Sequence, residues 1–150
     1  MFGKREAGLR EASHWKAIEG GRVECTLCGQ SCVLSDGQRG KCGVRENRGG
    51  SLWTLVYGMR WGRTWSVDPI IKKPLYHFLP GSMALSLGTS GCNLSCMHCL
   101  NHQMSNARPP DSMLVKTTEE EVIHQLKFTR CEVLAWTYNE PTIWHEFTLP

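Results

Sequence analysis

The sequence has no long apolar run. No stretch approaches the roughly 20 consecutive apolar residues of a membrane helix, so none is expected to span a bilayer as a helix. The first residues, Met1-Phe2-Gly3-Lys4-Arg5-Glu6, lack the apolar core of a secretory signal, and a cytoplasmic location is expected. A continuous basic run is also missing. Net charge is +3, with 13 Lys/Arg against 7 Asp/Glu in residues 1–80 and 4 against 7 in residues 81–150. Without a basic run, this spread reads as a solvated surface, and neither nucleic acid nor membrane is an expected partner. What the sequence does have is cysteine. Seven of its eight cysteines fall in two tight clusters and Cys131 stands alone. In a reducing compartment, clustered thiols point to metal or catalysis rather than to a disulfide framework.

Length bounds the architecture. The 150 residues accommodate one domain, or a small domain with part of another. Leu9, Ala12 and Trp15 fall near helical spacing, so residues 1–24 are expected to form a short helical lead-in ending at Gly20-Gly21. The first cluster follows, with Cys25, Cys28, Cys32 and Cys42 in C-x2-C-x3-C-x9-C spacing. Four thiolates on two glycine-rich knuckles can surround one ion. The candidates are structural zinc, an accessory iron–sulfur cluster, or four reduced structural cysteines. A C-x2-C redox pair would leave Cys32 and Cys42 unexplained. Residues 51–57 and 60–67 alternate in strand fashion about Gly58 and read as a hairpin packed on the knuckle, with Trp53, Trp61 and Trp65 as packing residues. A proline-punctuated connector carrying Lys72, Lys73 and His77 reads as solvated linker.

The second half alternates strand and helix. Met83-Ala84-Leu85-Ser86-Leu87 is a short buried strand between turn residues. Thr118 and Glu121 form a capping box for a helix running to about residue 130. An apolar strand over 132–138, the turn Asn139-Glu140-Pro141-Thr142 and a further helix from 143 follow. This order predicts the opening of a parallel α/β barrel or sheet.

The second cluster, Gly91-Cys92-Asn93-Leu94-Ser95-Cys96-Met97-His98-Cys99, lies just past the first of these strands. In α/β folds chemistry collects at that strand end. Three thiolates can ligate three irons of a four-iron cube and leave one open. A zinc knuckle completed by His98 or His102 fits the same spacing. Glu140 follows the next strand on the same expected face. Its carboxylate can accept a hydrogen bond from a ligand ammonium.

The motif Gly91-Cys92-Asn93-Leu94-x-Cys96-x-x-Cys99 after a strand resembles the radical S-adenosylmethionine (radical SAM) signature. Cys42-Gly43-Val44-Arg45-Glu46-Asn47, Leu55-Val56-Tyr57-Gly58, the stretch Asp68-Pro69 to Pro80-Gly81, and Trp136-Thr137-Tyr138-Asn139-Glu140-Pro141-Thr142 extend the likeness. Together they resemble the radical SAM enzymes of the AmmeMemoRadiSam system, relatives of the pyruvate formate-lyase activating enzymes.

The resemblance implies that Cys92, Cys96 and Cys99 hold a [4Fe–4S] cluster whose open iron binds SAM. It implies SAM contacts from Asn139, Glu140 and, near the adenine, His98. It assigns no catalytic side chain. An electron donor such as flavodoxin or ferredoxin is implied, and a protein substrate is suggested by the activating enzymes. His98 stands where the family has an aromatic residue; Leu100 and His102 replace its Gln and Trp, and Gly29 a common Pro. The implied fold is the first two βα units of a partial (βα)6 barrel over residues 81–150, preceded by the four-cysteine knuckle and hairpin over 1–80. On that reading the chain is an N-terminal fragment, inactive and marginally stable by itself. The alternative is a two-site zinc module that binds protein or nucleic acid.

Overall fold

The computed structural model describes residues 8–149. Its strands in chain order are β1 (Arg10–Glu11), β2 (Trp15–Ile18), β3 (Arg22–Cys25), β4 (Val33–Leu34), β5 (Arg45–Arg48), β6 (Ser51–Thr54), β7 (Met59–Trp61), β8 (Ser66–Pro69), β9 (Met83–Leu87), β10 (Leu114–Lys116) and β11 (Val133–Trp136). Among the described residues there are three α-helices: α1 (His102–Asn106), α2 (Glu119–Phe128) and α3 (His145–Thr148). The strands form four small sheets, ordered β1-β6-β5, β2-β3-β4, β7-β10 and β8-β9-β11.

The expected partial (βα)6 barrel is therefore not what this chain forms. Regular structure among the described residues is mostly short strands, and β9–β11 is the one parallel pair among them. The physical reason lies on either side of that pair. β8 runs antiparallel along the other edge of β9, with Ser66 opposite Ser86 and Pro69 opposite Met83, so no second parallel strand sits there. Upstream, glycines with positive φ close the chain into local hairpins. Gly49 (φ 61°) and Gly50 (φ 85°) make the two-residue turn between β5 and β6, a conformation that favours glycine at both positions.

Two local expectations change for the same reason. The region read as a helical lead-in contains β1 and β2, and β2 pairs with β3 across Gly20 and Gly21; residues 1–7 of that reading lie outside the described residues. The hairpin expected between 51–57 and 60–67 is replaced by the β5–β6 hairpin, while β7 pairs with β10. Strand pairing crosses residue 80 twice, through β7–β10 and β8–β9.

Other local signals hold. The apolar run at 83–87 is β9, with Ala84, Leu85 and Leu87 buried. α2 begins at a reciprocal capping box in which Thr118 Oγ1 accepts from the Glu121 N–H and Glu121 Oε2 accepts from the Thr118 N–H, both at 3.2 Å. The helix expected from 143 is a 3₁₀ turn, Pro141–Trp144, running into α3.

The core has two parts. One joins Val44, Val56, Leu85, Leu87, Val122, Ile143, Trp144 and Phe147; the other joins Ala12, Val23, Leu34 and Leu52 around the N-terminal strands. A buried ion pair ties them. Arg45 on β5 and Glu146 on α3 are 1% and 6% exposed, with Nη2 at 2.9 Å from Oε1 and 2.6 Å from Oε2. The Ser13 N–H and hydroxyl also donate to Oε1, each at 3.1 Å. Burial by itself would raise the Glu146 carboxyl; Arg45 and Ser13 outweigh it and hold it below its ordinary 4.5. A depressed carboxyl stabilises the fold fully above its ordinary value and loses that contribution as pH falls through the folded value.

Removing one member leaves the other charged and unpaired in the interior. Glu146→Ala is expected to destabilise the protein by about 3–5 kcal/mol, and Arg45→Met combined with Glu146→Leu to recover most of that loss. Urea unfolding of the single and double variants checks this. Equal losses in both would show that the pair is not what holds the two parts of the core together.

Candidate metal centre

β9 and β11 lie side by side with Leu87 opposite Trp136, so the loops that follow them leave from the same edge of the sheet. The loop after β9 is held at several points. The Gly91 N–H donates to the Met104 carbonyl at 2.9 Å, and the Thr89 hydroxyl to the Met59 carbonyl at 2.7 Å. The loop after β11 reaches across to it: Asn139 Nδ2 donates to the Gly91 carbonyl at 2.7 Å. In return Asn101 Nδ2 donates to the Tyr138 carbonyl at 2.9 Å. Gly88 and Gly91 permit this closeness. A Cβ at Gly88 would strike the Thr137 carbonyl oxygen, and one at Gly91 (φ 84°) the Cys42 carbonyl oxygen.

The three cysteines of the loop differ in exposure. Cys92 is buried, Cys99 half-buried with its sulfur 3.6 Å from Ser105 Oγ, and Cys96 exposed. His98 is exposed. Leu94, Met97 and Leu100 present apolar side chains to solvent, Met97 completely. Glu140 is half-buried, and its Oε1 caps the following turn, accepting from the Thr142 N–H at 3.2 Å and the Thr142 hydroxyl at 2.6 Å. The fold thus brings Asn139 onto the three-cysteine loop and engages Glu140 in its own turn. Among the described residues, no three His, Cys, Asp or Glu side chains converge as a group that could hold a metal ion.

By ligand type, three cysteine sulfurs on one loop are soft donors of the kind that hold zinc or an iron–sulfur cluster. On this loop, Asn93 Oδ1 and Ser90 Oγ are buried without a hydrogen-bond partner.

The four-cysteine knuckle lies directly behind this loop. Cys25, Cys28, Cys32 and Cys42 line one cavity of about 10 Å³ together with Arg45, Gln30 and Asn93. Gln30 Nε2 donates to the Asn93 carbonyl at 3.0 Å. Burial pushes the Cys25 and Cys42 thiols up.

Several residues of the site escaped sequence reasoning. Tyr138 adopts φ 76°, a strained value for a residue with a Cβ, and its hydroxyl donates to Asp68 Oδ2 at 3.2 Å. Lys72 at 2.8 Å and Lys73 at 3.4 Å also meet the Asp68 carboxylate, so these lysines belong to an ion cluster beside the β11 turn. His77 is exposed, as expected of a linker residue. Asn101 and Gln30 carried no spacing signal, because their partners are backbone carbonyls distant in sequence.

No protein-family profile matches the chain. The chain is similar to an uncharacterized protein of Methanocaldococcus jannaschii, MJ0808, with 36% identity over 139 residues. The match takes in 93% of this chain and 41% of that protein, so the chain spans about two-fifths of the relative's length. No solved structure matches.

Two measurements follow from the geometry. Lys72 hydrogen bonding, opposed by partial burial and joined by Lys73, lowers the Asp68 carboxyl to about 2 from 3.8. Its stabilisation is complete above 3.8 and lost as pH falls toward about 2. Asp68→Asn should flatten the melting temperature between those pH values relative to the parent, measured by thermal denaturation. Asn139→Ala removes the strap on Gly91, and alkylation of Cys92 followed by peptide mass spectrometry should quicken by about tenfold as the loop opens locally.

Proposed function

We propose that this chain is part of a radical SAM enzyme of the AmmeMemoRadiSam type, with Cys92, Cys96 and Cys99 as thiolate ligands of a [4Fe–4S] cluster. The observation that carries the reading is the Asn139 bond to Gly91 at 2.7 Å, which joins the three-cysteine loop to the Asn-Glu-Pro turn at one sheet edge. Held by Cys92, Cys96 and Cys99, the cluster would supply one electron for reductive cleavage of SAM to methionine and a 5′-deoxyadenosyl radical for hydrogen abstraction.

The side chains have separable duties in this reading. Cys92, the buried ligand, anchors the loop, while Cys96 and Cys99 close from the open side. Asn139 sets the loop's height above the sheet. Glu140 offers carboxylate oxygen to the SAM ammonium, with Thr142 holding its Oε1 in place. His98 lies on the exposed side of the loop, where it would meet the adenine. Leu94, Met97 and Leu100 would exclude water once covered. Flavodoxin or ferredoxin would deliver the electron, and a protein carrying the abstracted hydrogen is the substrate class that the activating enzymes suggest. Reduced thiols and an oxygen-sensitive cluster suit a cytoplasmic location.

Anaerobic reconstitution with iron and sulfide tests the reading. The chain should turn brown and hold about four iron and four sulfide at the Cys92 loop, and Cys92→Ala, Cys96→Ala and Cys99→Ala together should abolish this. The full-length protein, given SAM and a reductant, should release 5′-deoxyadenosine. A colourless, iron-free product with two zinc sites would favour a zinc module and sink the proposal.

A further inference from the structure

The knuckle behind the loop has its own chemistry, independent of what the Cys92 loop binds. Four thiols from two chain segments face one cavity of about 10 Å³, the space of a single small sphere. That is room for one ion. Tight turns carry the four cysteines to the wall of this one cavity, though their sulfurs are not yet gathered as a ligand set: the Ser31 N–H bonds the Cys28 carbonyl at 3.2 Å, with Ser31 at φ 42°, and the Gly43 N–H bonds the Gly40 carbonyl at 2.8 Å. Gly40 leaves space beside Cys32, whose sulfur would lie 3.6 Å from a Cβ there.

Arg45 adds the second indication. Its Nη2 is committed to Glu146, but its buried Nε and Nη1 have no partner, and Arg45 lines the same cavity. A guanidinium with unused buried donors calls for an anion beside it. Four cysteine thiolates around a divalent cation carry a net charge of −2 and can accept from those donors.

We infer that Cys25, Cys28, Cys32 and Cys42 bind a single tetrahedral zinc ion that locks the knuckle beneath the three-cysteine loop. Binding releases four thiol protons and draws the sulfurs from the cavity wall to about 2.3 Å from the metal. The ion thereby fixes the Cys42 backbone against Gly91 and, through Gln30, the carbonyl of Asn93. Its function is positional: it sets the floor on which Cys92 stands.

The test separates this site from the loop. The chain carrying Cys92→Ala, Cys96→Ala and Cys99→Ala is purified and its zinc, iron and sulfide are measured. About one zinc per chain is expected, with no iron and no sulfide. Exchange with Co²⁺ should give the intense sulfur-to-metal and visible bands of tetrahedral thiolate ligation. Adding Cys28→Ser should weaken zinc binding by about tenfold or more. A second measurement needs no substitution: titration of the unaltered chain with a mercurial should release zinc in step with modification of Cys25, Cys28, Cys32 and Cys42, mapped by peptide mass. A folded triple variant without metal, or one carrying iron with or without sulfide, overturns the inference. So does zinc release from the unaltered chain that follows Cys92, Cys96 and Cys99 instead.

Discussion

The structure depends on one buried charge pair. Arg45 and Glu146 are 101 residues apart in sequence and both are buried. Each alone would be costly to bury, so burial of either is favoured only where β5 and α3 meet. Their meeting places the N-terminal sheets against the aromatic cluster of Trp136, Trp144 and Phe147, where Trp144 Nε1 also donates to the Val56 carbonyl at 2.7 Å. Arg45 further borders the four-cysteine cavity, so the residue that joins the two parts of the core is also a wall of the candidate zinc site.

From that joint the arrangement of the thiols follows in layers. The knuckle rests on the N-terminal strands, the Cys92 loop rests on the knuckle, and the β11 turn holds the loop from the other side. Each layer is held by backbone carbonyls accepting from amides: Gln30 to Asn93, Asn139 to Gly91, and Asn101 to Tyr138. Neutral amide bonds of this kind set geometry without adding charge near sulfur. The strained Tyr138 conformation is held in turn by the Asp68 cluster.

Local signals were legible wherever the physics is local. The apolar run of β9, the capping box at Thr118 and Glu121, and the spacing of both cysteine clusters involve residues a few positions apart. The barrel expectation failed because strand direction is set by partners far along the chain. The alternation of strand and helix after residue 80 matches a parallel fold, yet β8, from before it, pairs antiparallel with β9. The lead-in at 10–18 carried helical spacing, but β2 is held as a strand by its pairing with β3. Asn101, Gln30 and Tyr138 matter through long-range contacts that no spacing rule exposes.

The sequence by itself determined that seven cysteines gather in two groups and which side chains can ligate within each, because ligand chemistry and short spacing are covalent facts. Only the tertiary structure decided that the groups stack one behind the other. Gly91 closes on the Cys42 carbonyl, and Arg45 turns its spare donors toward the knuckle, because the Arg45–Glu146 pair and the β8-β9-β11 sheet bring those segments into contact. The energy that selects this arrangement is burial shared between distant segments, and it exists only once they have met.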